Sequence, residues 1–104
     1  MRPRIVAVDF DGTLYAGPFT AADEFTGQPL PGAIAWLKSE LAREHKLIIH
    51  TCRLTSSYEG CTFPLESHRD PYVVRERLAE WLVLHGLTRG EVESLAFWLY
   101  PGKP

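Results

Sequence analysis

Asp9 and Asp11 stand two positions apart in the run Val8-Asp9-Phe10-Asp11-Gly12-Thr13. Two carboxylates at that spacing can face one crevice, where one acid holds a metal ion and attacks phosphorus while the other passes a proton to the leaving group. Crowding two acids raises the cost of ionising both unless a divalent cation lies between them, so the pair implies Mg²⁺. A second polar ending follows the apolar run Leu47-Ile48-Ile49, at His50-Thr51, and Arg53 comes two residues later. Arg53 is placed either to reach a second anionic group of a substrate or to form a surface salt bridge. The plainer reading of Asp9 and Asp11 is a capped turn. The apolar run before them and the glycine after them favour a crevice, because they put both acids where a buried strand turns sharply.

The elements that must position these groups are legible in the periodicity. Ile5 to Val8 is a continuous apolar run rich in β-branched residues, which predicts a strand covered on both faces, as in a parallel sheet flanked by helices. Residues 15–30 hold Gly17, Pro18, Gly27 and Pro29 without sustained period, which predicts a loop with a short hairpin or turn. Pro31 is expected to open a helix running from Gly32 to His45, with Ile34, Leu37 and Leu41 on its inner face. Lys46 to Thr51 then reads as a second strand, so strand, helix and strand make a βαβ unit. Residues 54–70 lack periodicity and read as a long connection of the kind that is either functional or mobile, in which Tyr58, Phe63 and Arg69 either line a substrate pocket or anchor the loop. Asp70-Pro71 predicts an N-cap and first helical residue, and the helix should end at Gly86 after presenting Val74, Leu78, Trp81 and Leu82 inward, with His85 near one edge. Thr88 and Glu91 have the spacing of a capping box, and Leu95 to Trp98 is the candidate third strand.

The composition bounds the reading. In 104 residues, 11 basic and 13 acidic side chains give a formal charge of −2, so no global field draws the chain to nucleic acid or anionic lipid. No stretch is long enough for a signal peptide or membrane span, and Cys52 and Cys61 form no C-x-x-C pair, which predicts a cytoplasmic protein with reduced thiols. His50, Cys52, Cys61 and His68 match no common zinc spacing. Trp36, Trp81 and Trp98 are expected in helix–sheet packing rather than on a base-stacking platform.

The run Val8-Asp9-Phe10-Asp11-Gly12-Thr13-Leu14 resembles the first signature of the haloacid dehalogenase-like phosphatase superfamily. The resemblance implies that Asp9 is a nucleophile forming an aspartyl-phosphate, that Asp11 is the general acid and base, and that Asp9 and Asp11 hold Mg²⁺, Asp11 through its backbone carbonyl. It implies that Thr51 ends the second signature and bonds the phosphoryl group, and that Lys103, in Gly102-Lys103-Pro104, is the cation neutralising nucleophile and phosphate. Gly12, Thr13, Thr51, Arg53 and Lys103 would form the phosphate- and substrate-binding set. The superfamily's fourth signature, an acidic pair on a later strand, would follow Lys103, and the chain ends at Pro104. The expectation is therefore a three-layer, Rossmann-like parallel sheet with flanking helices, C-terminally incomplete, as one core domain over residues 1–104 without a cap domain.

Two functions compete on this basis. One is a Mg²⁺-dependent phosphomonoester hydrolase acting on a phosphorylated small molecule or a nucleic-acid end. The other is a catalytically incompetent binding or assembly module that keeps the phosphate cradle without a full metal site. A phosphotransferase or receiver-like reading suits Gly12-Thr13 less well. The strand expected on the other side of the first strand is also missing, so an exposed sheet edge and self-association through it are expected.

Overall fold

The computed structural model describes residues 3–17, 21, 23–51 and 70–97. Strand β1 (Ile5–Val8) leads into a small hairpin of β2 (Tyr15–Ala16) and β3 (Gln28–Pro29), followed by helix α1 (Ala33–Ala42), strand β4 (Lys46–Ile49), helix α2 (Pro71–Leu84), helix α3 (Arg89–Glu93) and strand β5 (Ala96–Phe97). The hairpin is antiparallel, while β1, β4 and β5 form a parallel sheet in that order. Val8 lies opposite Ile49, and Ile49 opposite Phe97. The protein is thus mixed α/β around a three-stranded parallel sheet, as the βαβ reading requires.

Alternation along the strands decides which residues reach the core. Val8, Leu47 and Ile49 are buried, with Val6 and Phe97 packed against them, and this face meets Ala33 and Leu37 of α1, Val74, Leu78, Trp81 and Leu82 of α2, and Val92 of α3 in one cluster. Each fully buried aliphatic side chain of this set contributes about 1.5–3 kcal/mol relative to exposure. The inner stripe expected of α2 is buried as a whole. In α1, Leu37 is buried, and Ile34 and Leu41 pack on the cluster's edge.

The opposite face of β1 departs from expectation. Ile5 is 76% exposed and Ala7 is exposed too, so β1 is packed on one face and not on both. A run of β-branched residues marks a strand but does not say how many faces are covered. Helix α1 is also shorter than its apolar period suggests. Gly32 adopts a left-handed φ of 82° as the N-cap, which puts Pro31 outside the helix, and Glu44 takes φ 62° beyond its end. That reversal lets β4 begin at Lys46, whose N–H donates to the Arg4 carbonyl at 2.8 Å. Trp36 is 38% exposed rather than in the core.

Helix α2 starts as its sequence dictates. The Asp70 side chain accepts from the Tyr72 N–H at 2.9 Å, and Pro71 occupies the first turn. The capping box of α3 is complete, with Thr88 Oγ1 accepting from the Glu91 N–H and Glu91 Oε1 accepting from the Thr88 N–H. Glu91 Oε1 also accepts from Lys38 Nζ at 2.8 Å, tying α3 to α1. The hydrogen bond from Lys38, followed by that from the Thr88 backbone, holds the Glu91 carboxyl below the usual glutamate range. Because the folded value lies below the unfolded one, this stabilisation is present above the ordinary glutamate range and is lost as pH falls through the lowered folded value. Glu91→Gln keeps the capping geometry and removes only the charge. Its Tm should lie below that of the wild type at pH 7, and the gap should close as pH is lowered below about 4, measured by thermal unfolding followed by circular dichroism.

Candidate active site

The site is built on the turn that follows β1. Thr13, Leu14 and Tyr15 all donate their N–H groups to the Phe10 carbonyl, at 3.2, 2.8 and 3.1 Å. Gly12 donates to the Tyr15 carbonyl at 3.0 Å and has φ 81°. Nothing lies within 4 Å of where a Cβ would stand at Gly12, so the turn needs its backbone angle and not its small size. The chain coils about the residue between the two acids.

Phe10 is fully buried, and its neighbours Asp9 and Asp11 are half-buried. Its ring centroid lies 5.1 Å from Tyr15, 5.4 Å from Trp81 and 5.6 Å from Phe25. The edge-to-face geometry against Trp81 and Phe25 is the favoured one for aromatic pairs. Two polar atoms of this cluster clamp the hairpin: Gly27 donates its N–H to the Tyr15 hydroxyl at 2.7 Å, and Trp81 Nε1 donates to the Gly27 carbonyl at 3.0 Å. A Cβ at Gly27 would come within 2.6 Å of both the Ala16 carbonyl oxygen and the Gly17 Cα, so glycine here is a matter of space.

The parallel register sets the other expected groups beside this turn. His50 donates its N–H to the Val8 carbonyl at 2.9 Å, so Asp9 and His50 are the first residues beyond β1 and β4. Thr51 follows, buried at 5% exposure. Asp9, Asp11, Gly12, Thr13 and Thr51 therefore cluster at the carboxyl ends of two adjacent parallel strands, where open α/β sheets bind ligands. The place of His50 beside Asp9 was not read from the sequence, although each residue directly follows an apolar run. Arg53 and Lys103 lie outside the described residues, as do Cys52, Tyr58, Cys61, Phe63, His68, Arg69 and Trp98.

Asp9 and Asp11 offer oxygen donors on partly exposed positions, which suits Mg²⁺, a hard cation that keeps several of its waters. Among the described residues no group of three or more His, Cys, Asp or Glu side chains that could hold a metal ion is present. A cavity of about 310 Å³ adjoins the turn, lined by Val8, Thr13, Leu14, Pro31, Gly32, Ala33 and Trp36, which accounts for the exposure of that tryptophan. No described helix is long and apolar enough to cross a membrane. Compared with protein families, with curated proteins and with solved structures, the chain gives no match.

Phe10→Ala should destabilise the fold by about 3–5 kcal/mol, the range for emptying a buried aromatic site, measured by urea unfolding. Gly12→Ala should cost about 1–2 kcal/mol in the same measurement, because only the left-handed backbone angle is penalised there.

Proposed function

We propose that the protein is a Mg²⁺-dependent phosphomonoester hydrolase that works through an aspartyl-phosphate on Asp9. The observation that carries this reading is the placement of Asp9, Asp11 and Thr51 at the ends of adjacent parallel strands, around a turn whose central Phe10 is anchored in the core. The resemblance of residues 8–14 to the haloacid dehalogenase-like signature supports it. That resemblance also motivates the finer proposal of a three-layer, Rossmann-like organisation, while the short apolar runs and the cysteine spacing motivate that of a cytoplasmic setting. Substrates would be phosphorylated small molecules or nucleic-acid ends.

In the first step a carboxylate oxygen of Asp9 bonds to phosphorus as the ester P–O bond breaks, and Asp11 gives its proton to the departing oxygen. In the second, Asp11 takes a proton from water while the water oxygen attacks phosphorus, which releases inorganic phosphate and restores Asp9. Thr51 would donate its hydroxyl to a phosphoryl oxygen, with Lys103 as the expected cation and Arg53, Gly12 and Thr13 bordering the substrate. Mg²⁺ bound by Asp9 and Asp11 would supply positive charge to the transferred oxygens.

The expected result is Mg²⁺-dependent release of phosphate from an aryl phosphate, abolished by chelation. Asp9→Asn should lower kcat by at least about 10³-fold, and Asp11→Asn by about 10²–10⁴-fold. Full turnover by Asp9→Asn would remove Asp9 as nucleophile. A chain that releases no phosphate, and binds neither Mg²⁺ nor a fluoride mimic of phosphate by calorimetry, would be the binding module instead.

A further inference from the structure

We propose that Tyr15 is the positioning residue of Asp11: its main chain brackets the acid, and its buried hydroxyl fixes where that bracket stands. The proposal rests on the reading of Asp11 as general acid and base. Tyr15 donates its N–H to the Phe10 carbonyl at 3.1 Å and its carbonyl accepts from the Gly12 N–H at 3.0 Å, so the residues before and after Asp11 are both bonded to one and the same residue. Asp11 and Tyr15 also pair as a single β-bridge. The place of Asp11 is therefore set by the place of Tyr15.

The side chain of Tyr15 is what fixes its backbone. Tyr15 is 1% exposed. A Cβ on Gly17 would stand 3.1 Å from the ring's Cζ and from the hydroxyl oxygen, and one on Gly27 would stand 2.9 Å from Cζ, so two glycines close a slot around the hydroxyl end of the ring. In that slot the hydroxyl accepts from the Gly27 N–H at 2.7 Å, and the carbonyl of the same glycine accepts from Trp81 Nε1 at 3.0 Å. Ring packing is non-directional, whereas a hydrogen bond weakens steeply as its angle opens, so these two bonds hold the ring along its own axis in a way that packing does not. A continuous line of bonds thus runs from the indole of α2 through Gly27 and Tyr15 to both flanks of Asp11. Helix α2 governs proton transfer by that line without touching the substrate.

The test is Tyr15→Phe, which keeps the ring and removes the hydroxyl, with Trp81→Phe beside it, which removes the indole N–H from the same glycine. Circular dichroism checks that each is folded, and either folded variant decides. Amide hydrogen exchange should be at least about fivefold faster at Gly12 and Leu14, within the turn, and unchanged at Lys46 and His50, whose N–H groups bond the strand before it. The ratio kcat/KM, which reports phosphoryl transfer to Asp9, should fall at least about tenfold for an alkyl phosphate and no more than about twofold for 4-nitrophenyl phosphate, whose leaving group departs without a proton. A merely structural role would lower both substrates alike, so equal losses, or none, overturn the proposal. If the wild type releases no phosphate, the hydrolase reading falls, while faster exchange at Gly12 and Leu14 still upholds the hydroxyl as what places Asp11. Unchanged exchange there overturns the proposal whatever the activity.

Discussion

The burial of Phe10 between two acids is the constraint on which the candidate site depends. A strand alternates its side chains, so one aromatic residue drawn into the core obliges its neighbours to face away from it. Here the core supplies Tyr15, Phe25 and Trp81 as walls, contributed by the hairpin and by α2, and the ring position is shared among three parts of the chain. The three N–H groups collected by the Phe10 carbonyl then wind the following residues around the same point. The side of the chain on which the two carboxylates lie follows from this hydrophobic contact.

That arrangement also gives the hairpin its purpose. Two-residue strands cannot hold themselves together in water. The Tyr15 hydroxyl and the Trp81 indole reach across to Gly27, so the hairpin is fastened to the ring cluster that seats Phe10. Loss of the aromatic packing would therefore loosen the turn carrying Asp11 and Gly12 together with the connection leading into α1.

Much of this was legible in the residues, for reasons that are local. Asp70-Pro71, the Thr88–Glu91 pair and Gly86 mark helix ends through bonds to backbone groups only a few positions away, and the structure contains those ends where they were expected. The endings of α1 were harder, because its apolar period runs on into residues that the start of β4 reclaims. Glu44 takes the left-handed angle usually left to glycine, so no residue type announced the stop. Whether β1 is covered on one face or two depends on distant elements, and Ile5 to Val8 looks the same in both cases. The same limit applied to Trp36, since a tryptophan on a helix does not reveal whether its side chain meets the sheet or walls a cavity. In the site, the acids and the glycine turn were local signals, while the pairing of Asp9 with His50 came only from the register between β1 and β4.

The two faces and two edges of β1 divide the work of a four-residue strand. Its even residues supply both the core face and the bonds to β4, because in a parallel ladder one parity makes the bonds to a given neighbour. Its odd residues are thereby left with exposed side chains and an outward-facing backbone, and the parity that exposes Ile5 and Ala7 also turns Asp9 away from the core. With Val6 and Val8 turned to the core, the odd positions face the other side of the sheet, and Asp9 continues that side into the site.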